Sequence, residues 1–199
     1  DDCIFDNTKF KEREPVIRVP NQHIEKASNI NNGVPTVTKT SMKLQNVKCG
    51  LLNARSINNK EASIFELITE QNLDCLALTE TWCYENSSVS LGLITPPGYS
   101  IHHTQRSSRG GGVGLIYREL YRVKVEKSVK YSIFEHQTVS VQCSTETLRI
   151  TTVYYPKGVF SNIFCEEFSE LLSHLQTVSG KHLIVGDFNF HCDDEHDPS

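Results

Sequence analysis

The chain has 199 residues, 38% hydrophobic and 22% charged, which is ordinary for a soluble domain with a substantial core and names no function by itself. Its formal net charge is −4, but residues 186–199 hold five acids and no Lys or Arg, so the remainder carries +1 and overall acidity does not argue against an acidic partner. Seven cysteines form no C-x-x-C pair, which excludes a zinc ribbon or finger and points to a reducing compartment.

Residues 1–43 mix Asn, Lys, Glu, Thr and Pro without a period of 2 or 3.6 and are expected to form a flexible polar leader, with one domain over 44–199. The chain begins on Asp rather than Met, which points to a cut end. No signal-peptide core and no run near ~20 apolar residues occurs, so an intracellular protein, nuclear or cytoplasmic, is expected, with no membrane partner.

From about Gln45 to Asn53 the sequence reads as a strand, followed by a helix carrying Ile57, Ile64, Phe65 and Ile68 at helical spacing, with Asn58 or Asn59 able to cap it. "LDCLALTE" is a nearly wholly apolar strand of the kind covered on both faces, ending at Thr79 and Glu80. After a turn-rich loop at "TPPG", strand-like runs follow at 99–104, "GVGLIYR", "YRVKVEK", "TVSVQC" and "TLRITTVYY", which implies hairpins and a partly antiparallel sheet. A second amphipathic helix spans roughly 160–178, with Phe160, Phe164, Phe168, Leu171, Leu172 and Leu175 on one stripe before Gly180. The strand "HLIVGDFN" completes a pattern of helices packed outside two facing sheets.

Polar groups stand at four strand ends: Asn53, Glu80, Tyr154, and Asp187 with Asn189. Strand ends of a rigid sheet can bring such groups to one pocket although they are far apart in sequence. Carboxylates and amide oxygens are hard ligands suited to Mg²⁺, which takes one or two protein carboxylates and keeps its waters for phosphate oxygens. Glu80 would then hold the cation at a scissile phosphate while Asp187 orients or deprotonates a water. Each residue also has a plainer reading. Asp and Asn after a strand are common turn formers, Asn53 suits a cap, Glu80 a surface charge and Tyr154 a half-buried strand position. Trp82 reads as a packing anchor rather than a base-stacking platform.

Together, "LLNARSINNK", "DCLALTETW", "RGGGVGLIYR", "VYYPKG" and "HLIVGDFNFH" resemble the exonuclease–endonuclease–phosphatase superfamily, in the order seen there, and most closely the apurinic-type endonuclease domain of LINE-type (non-LTR) retrotransposons. The "NARS" and "TETW" forms are the discriminating ones. The resemblance implies a four-layer α/β-β/α sandwich of the DNase I type that nicks target-site duplex DNA with Mg²⁺, or Mn²⁺, leaving a 3′-hydroxyl for target-primed reverse transcription. A reverse-transcriptase domain is expected downstream in the intact element. By motif, Asn53 and Glu80 match the metal-site pair, Tyr154 the phosphate-contacting tyrosine, with Tyr155 the alternative if the register slips by one, and Asp187 and Asn189 the pair that orients water and phosphate. The family pattern ends on a Ser-Asp-His element with no counterpart here. The expectation is therefore a C-terminally incomplete fold with impaired catalysis, since losing a general acid or base costs about 10²- to 10⁴-fold in rate.

Residues 105–130 carry seven basic and two acidic groups. Read as a charged hairpin, they offer Arg106, Arg109 and Arg118 as DNA contacts, with a solvated surface the equal alternative. Two competing functions stay open: a nucleic-acid-binding remnant without catalysis, and a phosphatase of the same superfamily.

Overall fold

A computed structural model of the chain describes residues 47–83, 88–104, 110–143, 146–156 and 161–189. The leader expected over 1–43, together with Arg106, Arg109 and Phe160, lies outside the described residues. In chain order the elements are β1 (Cys49–Asn53), α1 (Glu61–Glu70), β2 (Cys75–Thr79), α2 (Ser88–Leu93), β3 (Tyr99–Thr104), β4 (Val113–Arg118), β5 (Arg122–Val125), β6 (Glu135–Cys143), β7 (Glu146–Tyr154), α3 (Asn162–Gln176) and β8 (Lys181–Asp187).

The strands form two four-stranded sheets, ordered β1-β2-β4-β3 and β5-β6-β7-β8. In each sheet one pair is parallel, β1 with β2 and β7 with β8, and the other pairs are antiparallel. The parallel pairs need a crossover, which α1 and α3 supply.

Period-2 alternation explains the layers. Cys49, Leu51, Cys75, Ala77 and Leu115 of the first sheet pack against Val139, Val141, Leu148, Ile150, Leu183 and Val185 of the second. The opposite face of the first sheet, with Leu52, Leu76, Leu78 and Ile116, meets Ile64 and Ile68 of α1 and Leu91 of α2. The opposite face of the second, with Val153 and Ile184, meets Phe164, Leu171 and Leu175 of α3. The order is helix, sheet, sheet, helix, as the strand and helix patterning requires. Burying each large α3 side chain contributes about 1.5–3 kcal/mol.

Local details depart from expectation. Lys60, not Asn58 or Asn59, is the N-cap of α1, and it makes no side-chain capping bond. Phe65 is not in the α1 stripe that packs inward and stands 36% exposed. Helix α2 replaces part of what reads as loop; its six residues are Ser- and Gly-containing and have no helical signature of their own. In α3, Ser161 caps through its hydroxyl, which accepts from the Phe164 N–H at 3.2 Å. The described part of the basic run is not one hairpin: β4, with Arg118, belongs to one sheet and β5, with Arg122 and Lys124, to the other. All five described cysteines are free thiols, four of them buried. Among the described residues no helix is long and apolar enough to cross a membrane.

Candidate active site

The site lies at the C-terminal ends of the four parallel-paired strands. Asn53 is in register with Thr79 across β1 and β2, and Tyr154 with Asp187 across β7 and β8. Alternation along β1, β2, β7 and β8 puts these four on the faces that oppose each other between the sheets. Asn53, from one sheet, donates through Nδ2 to Glu80 Oε1 at 2.8 Å and also to Asp187 Oδ2 of the other sheet, 134 positions away in sequence. One carboxamide thus bridges two carboxylates. Among the described residues no ion pair engages either acid.

Each of these side chains is delivered by a fixed turn. After β1 the chain passes through two left-handed residues, Arg55 (φ 42°) and Ser56 (φ 79°). Asn53 Oδ1 accepts from the Arg55 N–H at 3.1 Å, and Lys60 Nζ donates to the carbonyls of Ala54 (2.7 Å) and Arg55 (3.2 Å). The turn and the site are therefore made by one side chain. The same economy recurs after β8. Asp187 Oδ1 accepts from the Asn189 N–H at 3.1 Å, closing an Asx turn, while its Oδ2 faces Asn53. Asn189 sits at φ 53° and donates through Nδ2 to the Tyr155 carbonyl at 2.7 Å, tying the ends of β7 and β8 together. The turn reading of "GDFN" is realised in the geometry, and the same aspartate also faces Asn53.

Tyr154 and Tyr155 point to opposite faces. Tyr155 packs in the α3 cluster, with its ring 4.7 Å from that of Phe164, whereas Tyr154 occupies the inter-sheet face beside Asp187 and is 7% exposed. Arg118 ends β4, opposite the β2 end that carries Glu80, since Cys75 pairs with Tyr117 and Thr79 with Val113. Its guanidinium is engaged by Asp74 (3.0 Å) and Asn72 (2.6 Å) and lies over the Tyr99 ring. Arg118, expected as a DNA contact, is therefore not among the groups brought to the site.

Several supporting residues had no clear sequence signal. Glu80 itself is left-handed at φ 51°. Its carbonyl accepts from Ser56 N at 2.7 Å, and the next residue, fully buried Thr81, shares a 2.7 Å hydrogen bond with His103 Nε2. Burial, with His102 adding repulsion, pushes the His103 imidazole down to about 4, so it is neutral near pH 7. Gly112, at φ 90°, lies against both Thr81 and His103, and its N–H donates to Glu135 Oε2 at 2.7 Å. Glu135 is in register with Tyr154, which puts a third acid near the cluster. A strand that starts on Glu, in "FEHQTVSV", was the available clue. Beneath these groups, the buried hydroxyls of Thr79 and Thr152 have no hydrogen-bond partner among the described residues, so the floor is polar.

Chemically, the arrangement offers oxygen donors and a shared amide at a rim between two sheets. Among the described residues no three His, Cys, Asp or Glu side chains converge as a metal-binding group. Mg²⁺ does not require them, because it is commonly bound through one or two carboxylates with waters completing the shell.

A family model, the Endonuclease/Exonuclease/phosphatase family, matches residues 29–196. No curated protein sequence matches the chain. Among solved structures it is similar to the human Nocturnin catalytic domain with bound sulfate, at 16% identity and a TM-score of 0.53, covering 74% of this chain and 65% of that one. It is similar also to D. rerio TDP2 complexed with single strand DNA product, at 14% identity and TM-score 0.52, covering 72% of this chain and 60% of that one. A third is ANGEL2, a 2′,3′-cyclic phosphatase, at 15% identity and TM-score 0.52, covering 73% of this chain and 53% of that one. At such identities the likeness is one of fold, and the chain spans less than two thirds of each of these structures. With the family match covering most of its length, the chain belongs to the Endonuclease/Exonuclease/phosphatase family.

Proposed function

We propose that the chain carries the divalent-metal site of a DNA endonuclease of the LINE-type retrotransposon class, nicking target duplex DNA to leave a 3′-hydroxyl. Members of the family are generally hydrolases of phosphodiester bonds and divalent-metal dependent. The observation that carries the reading is the single Asn53 carboxamide held between Glu80 and Asp187, which joins acids of two sheets, neither of them in an ion pair among the described residues. Two adjacent carboxylates without a counter-charge repel, and a hard cation at Glu80 and Asn53 would relieve that. When bound, Mg²⁺ or Mn²⁺ would withdraw charge from the scissile phosphate and its leaving oxygen.

The chain's own residues then divide the work. Asn53 fixes the separation of the two acids, and Glu80 holds the cation. Asp187 accepts a proton from, or orients, the attacking water. Tyr154 contacts a phosphate oxygen, and Asn189 holds the β7 and β8 ends so that Asp187 keeps its aim. The "NARS" and "TETW" forms support the retrotransposon class, and with it a reverse-transcriptase domain in the intact element. Similarity to TDP2 bound to single strand DNA product supports a nucleic-acid substrate. Arg106 and Arg109 remain proposed phosphate contacts. A second reading, phosphatase action at the same cluster, is favoured by the likeness to ANGEL2.

The test is plasmid nicking. Supercoiled DNA with Mg²⁺ is expected to relax, and Glu80→Gln is expected to lower the rate by about 10²- to 10³-fold, the usual effect of removing one transition-state charge contact. Nicking unchanged in both Glu80→Gln and Asp187→Asn would refute the assignment. DNA binding without nicking would support the non-catalytic remnant, and release of phosphate from a cyclic or monoester substrate would support the phosphatase.

A further inference from the structure

Trp82 is the chain's only tryptophan and lies two residues beyond Glu80. It is not the packing anchor its sequence position suggests, because it is 42% exposed. Its backbone is nevertheless fixed on every side. The Trp82 N–H donates to the Gly111 carbonyl at 2.9 Å and the Thr81 N–H to that of Gly112 at 3.3 Å. On the other side, the Ser56 N–H donates to the Glu80 carbonyl at 2.7 Å and the Ile57 N–H to that of Thr81 at 3.1 Å. Thr81 is further held through its side chain by His103.

Within this clamp Trp82 adopts φ 54°, a left-handed conformation that is an outlier for a bulky side chain and persists only where the surroundings impose it. The indole Nε1 lies beside Gly110, 3.9 Å from where a Cβ on that residue would stand. The ring is thus anchored at its root, with its Nε1 edge beside Gly110, while much of it meets solvent. Burial does not account for this arrangement, since the strained backbone leaves the ring out of the core. Two chain steps bring its Cα to within about 7 Å of that of Glu80, the distance scale of one nucleotide.

Resting on the nucleic-acid reading above, we propose that Trp82 is a stacking platform for an unpaired DNA base next to the phosphate held at the Glu80 and Asp187 cluster. A rigid aromatic face suits this task because every base has a π-face. Base–aromatic stacking of this kind changes affinity by about 5- to 150-fold per base, with little sequence preference. The role would set how the strand enters the site, which Glu80 and Asp187 alone do not.

A single tryptophan makes the test direct. The full chain, with Ca²⁺ replacing Mg²⁺ to hold the DNA uncut, is titrated with single-strand oligothymidine and with an abasic oligonucleotide of equal length. Trp82 emission and the anisotropy of labelled copies are both read. Saturable quenching by oligothymidine but not by the abasic strand, with the abasic strand binding about 5- to 150-fold more weakly, is the expected result. Trp82→Ala is expected to reduce oligothymidine affinity to that of the abasic strand and leave the latter unchanged, with Trp82→Phe restoring most of the difference. Binding of both strands with equal affinity and no quenching would overturn the platform and leave the nucleic-acid reading standing. Absence of binding by both strands would overturn both.

Discussion

Replacing Gly112 with alanine should disturb the site without removing any of its acids. The added Cβ would fall inside van der Waals contact with Thr81 Oγ1 and 3.2 Å from His103 Nε2, on a backbone at φ 90°. Left-handed backbone costs a non-glycine residue roughly 1–2 kcal/mol. Forcing Thr81 and His103 apart breaks their 2.7 Å hydrogen bond and leaves buried polar atoms unpaired, about 1–3 kcal/mol more. The expected loss is therefore about 2–5 kcal/mol, read from urea denaturation. Thr81→Ala removes the same hydrogen bond and the clashing oxygen together, so alone it should cost about 1–3 kcal/mol. In the double variant the hydrogen bond is lost only once. The two changes should then fall short of additivity by about 1–3 kcal/mol. Sums that agree within about 0.5 kcal/mol would mean that Gly112 does not press on the Thr81–His103 pair, and the account of how Glu80 is held would fail.

Two other outcomes follow from the same geometry. His103 is held near 4, below its ordinary 6.5, so the unfolded chain binds the extra proton first. Its contribution to stability is full above pH 6.5 and is lost as pH falls from 6.5 to about 4, by about 3 kcal/mol at most; His103→Gln should flatten that part of a pH-stability profile, and an unchanged slope would refute it. Gly186→Ala would put a Cβ against the Val153 carbonyl, with the carbon at 2.8 Å, so β8 must move off β7. A loss of roughly 3 kcal/mol or more is expected in chemical denaturation, together with loss of the site, because Asp187 is the next residue; a well-folded variant with wild-type stability would contradict the register described for β8.

Much of the fold was legible because its strands obey simple rules. Cys75–Thr79 is apolar up to its last residue and is buried on both faces, and the Phe164, Leu171, Leu175 stripe of α3 meets the second sheet as its spacing requires. Each parallel pair, β1 with β2 and β7 with β8, has a helix between its strands, as a crossover requires. Helix α2 escaped notice because six residues with serine and glycine carry no period, and tertiary contact of Leu91 with the α1 layer sustains it. Of the site, the strand-end polar residues were visible one at a time, and only the facing of the two sheets shows Asn53 between both acids. For Arg118, charge along the sequence does not show that it stands at the far end of β4 from Glu80, nor that Asp74 engages it. Lys60, Thr81, His103, Gly112 and Glu135 act through backbone carbonyls, close approach and mutual hydrogen bonds. Lys60, Thr81 and Gly112 fall within the quoted motifs and Glu135 starts a strand, but these contacts themselves leave no pattern in the sequence. Trp82 looked like core because tryptophan usually packs, whereas its left-handed backbone turns it outward.

The most direct measurement is Mn²⁺ binding followed by electron paramagnetic resonance. The account expects one bound ion per chain, displaced by Mg²⁺, weakened at least about tenfold by Asn53→Ala and abolished by Glu80→Gln. Undiminished binding of one ion in Glu80→Gln, or none in the unaltered chain at millimolar Mn²⁺, would contradict the claim that Glu80 and Asn53 hold a single cation.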